Sequence, residues 1–163
     1  MDSTMDEIIE KAEKGEAFHV PPALMPDYIR YLYTTHRCLH EFFHLRIEEV
    51  RQGYIKAALD LGPDYLNSGG FLYGGILAAM SDAISLGLIA GVGKSAVTSN
   101  ITMNFVKSHP AEGTIYLYGR IRHNGRRMLV LDGEIQGEKG ELLADMTISM
   151  YVLAPMEEVP AVW

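Results

Sequence analysis

Asn67-x5-Tyr73-Gly74-Gly75-x6-Asp82 gathers an amide, two glycines and a carboxylate in one short stretch. Glycines at a helix start let a ligand approach the backbone closely, and the free amides of a first helical turn attract negative charge. That arrangement suits an oxyanion developing on a thioester or ester carbonyl. Asp82 is a carboxylate in a run, Ile76 to Gly91, that is otherwise apolar almost all round. A charge enclosed in such a helix needs a partner or a task. A plainer reading lets Gly74 and Gly75 permit tight packing while Asp82 caps nearby backbone. Together with Asn67, however, the set favours chemistry.

Spacing sets a further condition. Asp82 follows Gly74 by eight residues, about 12 Å along a helix rising roughly 1.5 Å per residue. A carbonyl held at the Gly74 amide is therefore out of reach of Asp82 on the same helix. Two such helices packed antiparallel about a two-fold axis bring one Gly74 near the other Asp82. The chemistry predicts a dimer at least.

A second motif competes. His40-Glu41-Phe42-Phe43-His44 fits H-E-x-x-H, whose two histidines can hold zinc while the glutamate acts as base. His36 adds a histidine on the same predicted face, but no persuasive third ligand follows, since His109 and His123 fall near strand ends or turns. The expectation is no metal. Cys38 reads as a packed thiol, and no serine stands in G-x-S-x-G.

The elements that must position these residues form one domain with a leader. With 163 residues, 48% of them hydrophobic and 21% charged, the chain is of ordinary globular make-up. A net charge of −7 argues against non-specific binding of nucleic acid, where phosphate contacts supply most of the affinity. The single cysteine excludes an internal disulfide, and the acidic start lacks a signal-peptide core, which together predict a cytoplasmic setting. Phe71 to Val92 is long and apolar, yet mid-span Asp82 is costly in a bilayer, so a buried helix rather than a membrane span is expected.

The leader, 1–44, opens with a capping box at Thr4 and Glu7, with Gly15 as stop. Pro26 then suits a first helical turn, and Ile29, Leu32, His36, Leu39 and Phe43 share a helical face. The body, 45–163, begins with two short strands broken at Gln52-Gly53. After the enclosed helix come four alternating segments, carrying Ile101/Met103/Phe105, Ile115/Leu117/Ile121, Leu129/Leu131/Ile135 and Met146/Ile148/Met150/Val152. Asn124-Gly125 predicts a two-residue hairpin, and Glu138-Lys139-Gly140 the next turn. One long helix plus an antiparallel meander is an α+β domain with the sheet wrapped on the helix.

Asn67, the Gly-Gly pair before an enclosed helix, Asp82, Thr98 at the next strand's entry and Gly125-Arg126 follow one order. In that order the chain resembles the hotdog-fold acyl-CoA thioesterases, specifically the phenylacetate-degradation branch, over roughly Asn67 to Leu153. The resemblance implies an acyl-CoA thioesterase acting at a subunit interface of a homodimer or homotetramer, with coenzyme A as part of the substrate and no separate cofactor. It implies Asp82 as nucleophile or base for water, the Gly74 amide as oxyanion donor, and Asn67 and Thr98 as orienting groups. The family's His-Gly-Gly is here Tyr73-Gly74-Gly75, and tyrosine does not titrate near neutral pH. A non-catalytic acyl-CoA-binding protein is the alternative this departure allows. Tyr73, Gly75, Lys107, Gly125, Arg126 and Arg127 are the expected substrate contacts. Lys107, Arg120, Arg122, His123, Arg126 and Arg127 fall along or at the ends of adjacent predicted strands, and arginine recognises phosphate bidentately. Tyr65, Phe71, Tyr73, Met103 and Met150 could line an aryl or a long aliphatic pocket.

Overall fold

The computed structural model describes residues 3–36, 40–41, 43–160 and 162–163. Helix α1 (Met5–Lys14) starts as its capping box predicts. The Glu7 N–H donates to Thr4 Oγ1, the Glu7 carboxylate accepts from the Thr4 N–H, and Gly15 ends the helix at φ 68°. Helix α2 (Met25–Thr35) carries Pro26 in its first turn.

Helix α2 ends at Thr35, short of the predicted Phe43, and His40 and Glu41 lie in a separate π-helical turn whose His40 N–H donates to His36 O at 2.9 Å. His36 is extended, and His44 has φ 52°. At the end of α2 the hydroxyls of Thr34 and Thr35 donate back to Tyr31 O and Leu32 O. Such local bonds compete for the carbonyls a longer helix would use. His44, at φ 52°, stands outside the helical turn that holds His40, and Phe42 between them lies outside the described residues. Among the described residues no group of three or more His, Cys, Asp or Glu could hold a metal. Cys38 and Leu39 lie outside the described residues.

Six strands make one antiparallel sheet in the order β1-β2-β4-β5-β6-β3. They are β1 (Arg46–Arg51), β2 (Tyr54–Asp60), β3 (Lys94–Phe105), β4 (Thr114–Asn124), β5 (Met128–Gln136) and β6 (Leu142–Pro155). Helix α3 (Gly74–Ala90) packs on the face carrying Ile55, Leu117, Leu131 and Ile148, each at most 1% exposed. Burying a side chain of this size fully contributes about 1.5–3 kcal/mol. The helix comes close to the sheet because β4 offers Gly119: a Cβ there would stand 2.9 Å from Ile84 Cδ1. The leader shares this core through Ile8, Val20, Met25, Tyr28, Ile29 and Tyr33.

Two local expectations need correction. Strand β3 begins at Lys94, so Thr98 lies inside it, beside a register shift between Thr98 and Asn100, rather than at its entry. The β4–β5 connection is three residues, Gly125 to Arg127, none with positive φ. A type I′ Asn-Gly turn needs positive φ at both central residues. Here Lys94 Nζ instead donates to Gly125 O at 2.8 Å and to Asn124 Oδ1, tying the connection to the start of β3. Among the described residues, no helix is long and apolar enough to cross a membrane.

Candidate active site

Helix α3 runs antiparallel to β3. Its first turn lies by Phe105, where a Cβ on Gly74 would meet the ring at 3.1 Å. Eight residues on, Asp82 meets Thr98, whose Oγ1 donates to Asp82 Oδ1 at 2.6 Å. No side chain caps α3 at its N-cap residue Tyr73. The first-turn amides, Gly74 and Gly75 among them, thus have no side-chain cap at a helix start where negative charge is favoured. The Tyr73 ring lies over Gly75, 2.5 Å from where a Cβ would be, and is itself 55% exposed.

Asp82 is exposed, not enclosed as its apolar neighbours predicted. The helix does bury Met80, Ser81, Ala83, Ile84 and Ser85 around it. Asp82 faces the rim beyond β3, and β3 is an edge strand with no further strand beside it among the described residues. The backbone at this point is held tightly, with Ser85 Oγ donating to Asp82 O at 2.6 Å.

Asn67 builds its own loop. Its Oδ1 accepts from the Gly69 and Phe71 N–H groups at 2.8 and 3.1 Å, leaving the NH2 end as the part that can meet a ligand. A cleft of about 300 Å³ brings Asn67, Gly74 and Lys107 together with Phe71, Phe105 and His109. The histidine is one that sequence reasoning had placed merely near a strand end. Its ring nitrogen Nε2 stands 3.9 Å from Glu141 Oε1. Backbone hydrogen bonding at Glu141 and Lys139, helped by the Lys107 and His109 charges, holds the Glu141 carboxyl below the usual carboxylate range.

The expected basic cluster is dispersed. Arg120 and Arg122 reach toward Asp132 at 3.9 and 3.5 Å on the sheet face away from α3. Met128 pairs with Tyr151, and Tyr151 with Val97, so the Gly125–Arg127 connection sits at the Val97 end of β3. Lys107 lies past the opposite end of β3, two residues beyond Phe105. Arg126 and Arg127 are exposed at their connection. The expected residues thus form three sets within one chain: Asn67, Tyr73, Gly74, Gly75 and Lys107; Asp82 and Thr98; Gly125, Arg126 and Arg127.

A single antiparallel sheet wrapped on one long helix is a hotdog fold, here with an uncapped Gly-Gly helix start and a carboxylate two turns on. Residues 69–144 match the thioesterase superfamily. No curated protein sequence is significantly similar to it. Among solved structures it is similar to a Streptococcus mutans protein bound to acetyl-CoA, at 26% identity over 71% of this chain and 94% of that one, TM-score 0.69. It is likewise similar to a hypothetical thioesterase from Streptococcus pneumoniae with coenzyme A, at 25% identity over 71% and 98%, TM-score 0.66. That protein has also been solved with an aspartate and, separately, a threonine sixteen positions later replaced by alanine. The E. coli PaaI protein, from the phenylacetic acid degradation operon, shares the fold at TM-score 0.77 over 85% and 99%, with 19% identity.

Proposed function

We propose that the protein is an acyl-CoA thioesterase, a thioester hydrolase whose active site forms between two copies of the chain. The observation that carries the reading is the Asp82–Thr98 pair, a carboxylate held by a hydroxyl on an exposed helix face. A carboxylate needs such a fixed geometry to attack a thioester or to deprotonate water beside it. The aspartate and the threonine replaced in the hypothetical thioesterase of S. pneumoniae have the same sequence separation as Asp82 and Thr98, sixteen residues. In this reading the Gly74 amide binds the thioester oxygen, with Gly75 and Tyr73 beside it, and Asn67 orients water or substrate. Arg126 and Arg127, on the exposed Gly125 connection, take the phosphates of coenzyme A.

Assembly follows from the same geometry. Asp82 lies too far along α3 from Gly74 of its own chain to share a carbonyl with it. Strand β3 is a twelve-residue edge, and an uncovered edge of that length is a template for pairing with another chain. A two-fold axis beside β3 reverses the copy's helix, so that its Gly74 end approaches Asp82. A homodimer, or a dimer of dimers, completes the site.

A thiol-release assay over short, long and aromatic acyl-CoAs tests the activity. Hydrolysis of at least one class, lost in Asp82→Asn, is the expected result. Tyr73 in place of the family histidine favours one other reading, an acyl-CoA-binding protein without turnover. Tight acyl-CoA binding with no thiol released from any member of the panel would establish that alternative.

A further inference from the structure

Beyond its apolar packing, the leader hydrogen-bonds to α3 through the hydroxyl of Tyr33. Tyr33, on α2 and 3% exposed, donates to Ala83 O at 3.0 Å and accepts from the Gly87 N–H at 3.1 Å. Ala83 O and Gly87 N are the groups that close one turn of an α-helix, and a side chain seated at such a pair bends the helix and fixes the bend. The turn it engages begins at the residue after Asp82. With Ser85 donating to Asp82 O, the carbonyls of residues 82 and 83 both carry hydroxyl donors, one from the helix and one from the leader.

Gly87 makes the insertion feasible. A Cβ there would stand 3.2 Å from Tyr33 Oη, 3.1 Å from Ile29 Cγ2 and 2.6 Å from Ile55 Cδ1. Burial also pushes the Tyr33 phenol far above its ordinary range, so the group remains a neutral donor. The simplest role for these contacts is to hold two packed helices together. A buried tyrosine could have donated to any free carbonyl, however, and this one binds the turn next to the exposed carboxylate, whose Oδ1 accepts from Thr98 at 2.6 Å.

We propose that Tyr33 is a positioning residue for Asp82: seated between Ala83 O and Gly87 N, its hydroxyl fixes the turn of α3 that aims the carboxylate at Thr98. The inference rests on the reading of Asp82 as the catalytic carboxylate. It gives the leader a task in catalysis that packing alone would not.

Tyr33→Phe keeps the ring and removes the hydroxyl. The expected result is a folded protein with kcat about 10-fold lower and KM within about 2-fold, the signature of a lost transition-state contribution. Combined with Thr98→Val, the losses should fall well short of multiplying, because both changes act on one carboxylate. Gly87→Ala reaches the same contact from the other side and should give the same pattern. An unchanged kcat, losses that multiply, or activity that tracks only the folded fraction on cooling would overturn the proposal. The 13Cγ resonance of Asp82 requires no turnover. A resonance that moves in Tyr33→Phe supports positioning even if wild type releases no thiol, and one that stays in place rejects it. Absence of thiol release from wild type therefore counts against the thioesterase reading alone.

Discussion

Thr98 Oγ1 stands 2.6 Å from Asp82 Oδ1, joining the long helix to an edge strand across sixteen residues of sequence. One carboxylate oxygen is thereby fixed and the other is left to face the rim. Asp82→Asn keeps the shape and removes the charge needed for attack or proton transfer. It should fold and bind acyl-CoA near wild-type affinity, with turnover down about 10²-fold or more. Thr98→Val should lower kcat by about 10-fold, the milder loss expected for an orienting group. Steady-state kinetics with a melting curve for each variant check both. A change in melting temperature with turnover intact would make Asp82 a packing residue.

Assembly is testable by dilution. The distance along α3 predicts that activity per chain falls once the protein is diluted below its dimer dissociation constant, while sedimentation shows a dimer or tetramer above it. A fully active monomer would contradict the shared site, because one chain cannot bring Gly74 and Asp82 to one carbonyl.

The arginines divide by their surroundings. Arg126→Ala with Arg127→Ala should raise KM several-fold for acyl-CoA and leave it unchanged for a thioester of a small thiol without phosphates. Arg120→Ala should leave both substrates alone, since Arg120 reaches toward Asp132 on the sheet's other face. Equal effects on the two substrates would remove the phosphate role from the 126–127 pair.

Local pattern carried much of this fold. The capping box at Thr4 and Glu7, the break at Gln52-Gly53 and the period-two faces of β4 to β6 are set by neighbours in sequence, and each stands where it was expected. Three features were not legible, each for a long-range or competing local reason. Helix α2 stops at Thr35 because threonine hydroxyls take its last carbonyls. Asp82 is exposed because β3 falls at the sheet edge, and strand order is not encoded in any one segment. The contact of Tyr33 with Gly87 spans fifty-four residues, and no periodicity announces it. The site's members were visible as residue types, while their separation into three sets came only with the register of β3, β6 and β5.

The buried phenols predict a steep alkaline limb. Burial, aided by the Glu158 charge, pushes Tyr28 up to about 12, and burial pushes Tyr33 higher still. In the unfolded chain a tyrosine titrates near about 10. Between these values the folded protein keeps protons that the unfolded chain has lost, so stability falls as pH rises. Each such group contributes a slope of about 1.4 kcal/mol per pH unit above pH of about 10, and nothing below it. Denaturant unfolding from pH 8 to 12 should therefore show a flat region followed by a decline. Tyr33→Phe should be less stable than wild type at pH 8 because the bonds to Ala83 and Gly87 are gone. It should also decline less steeply above pH of about 10, so that the two curves converge. Curves that stay parallel through the alkaline range would show that the Tyr33 phenol ionises in the folded state as readily as in the unfolded one.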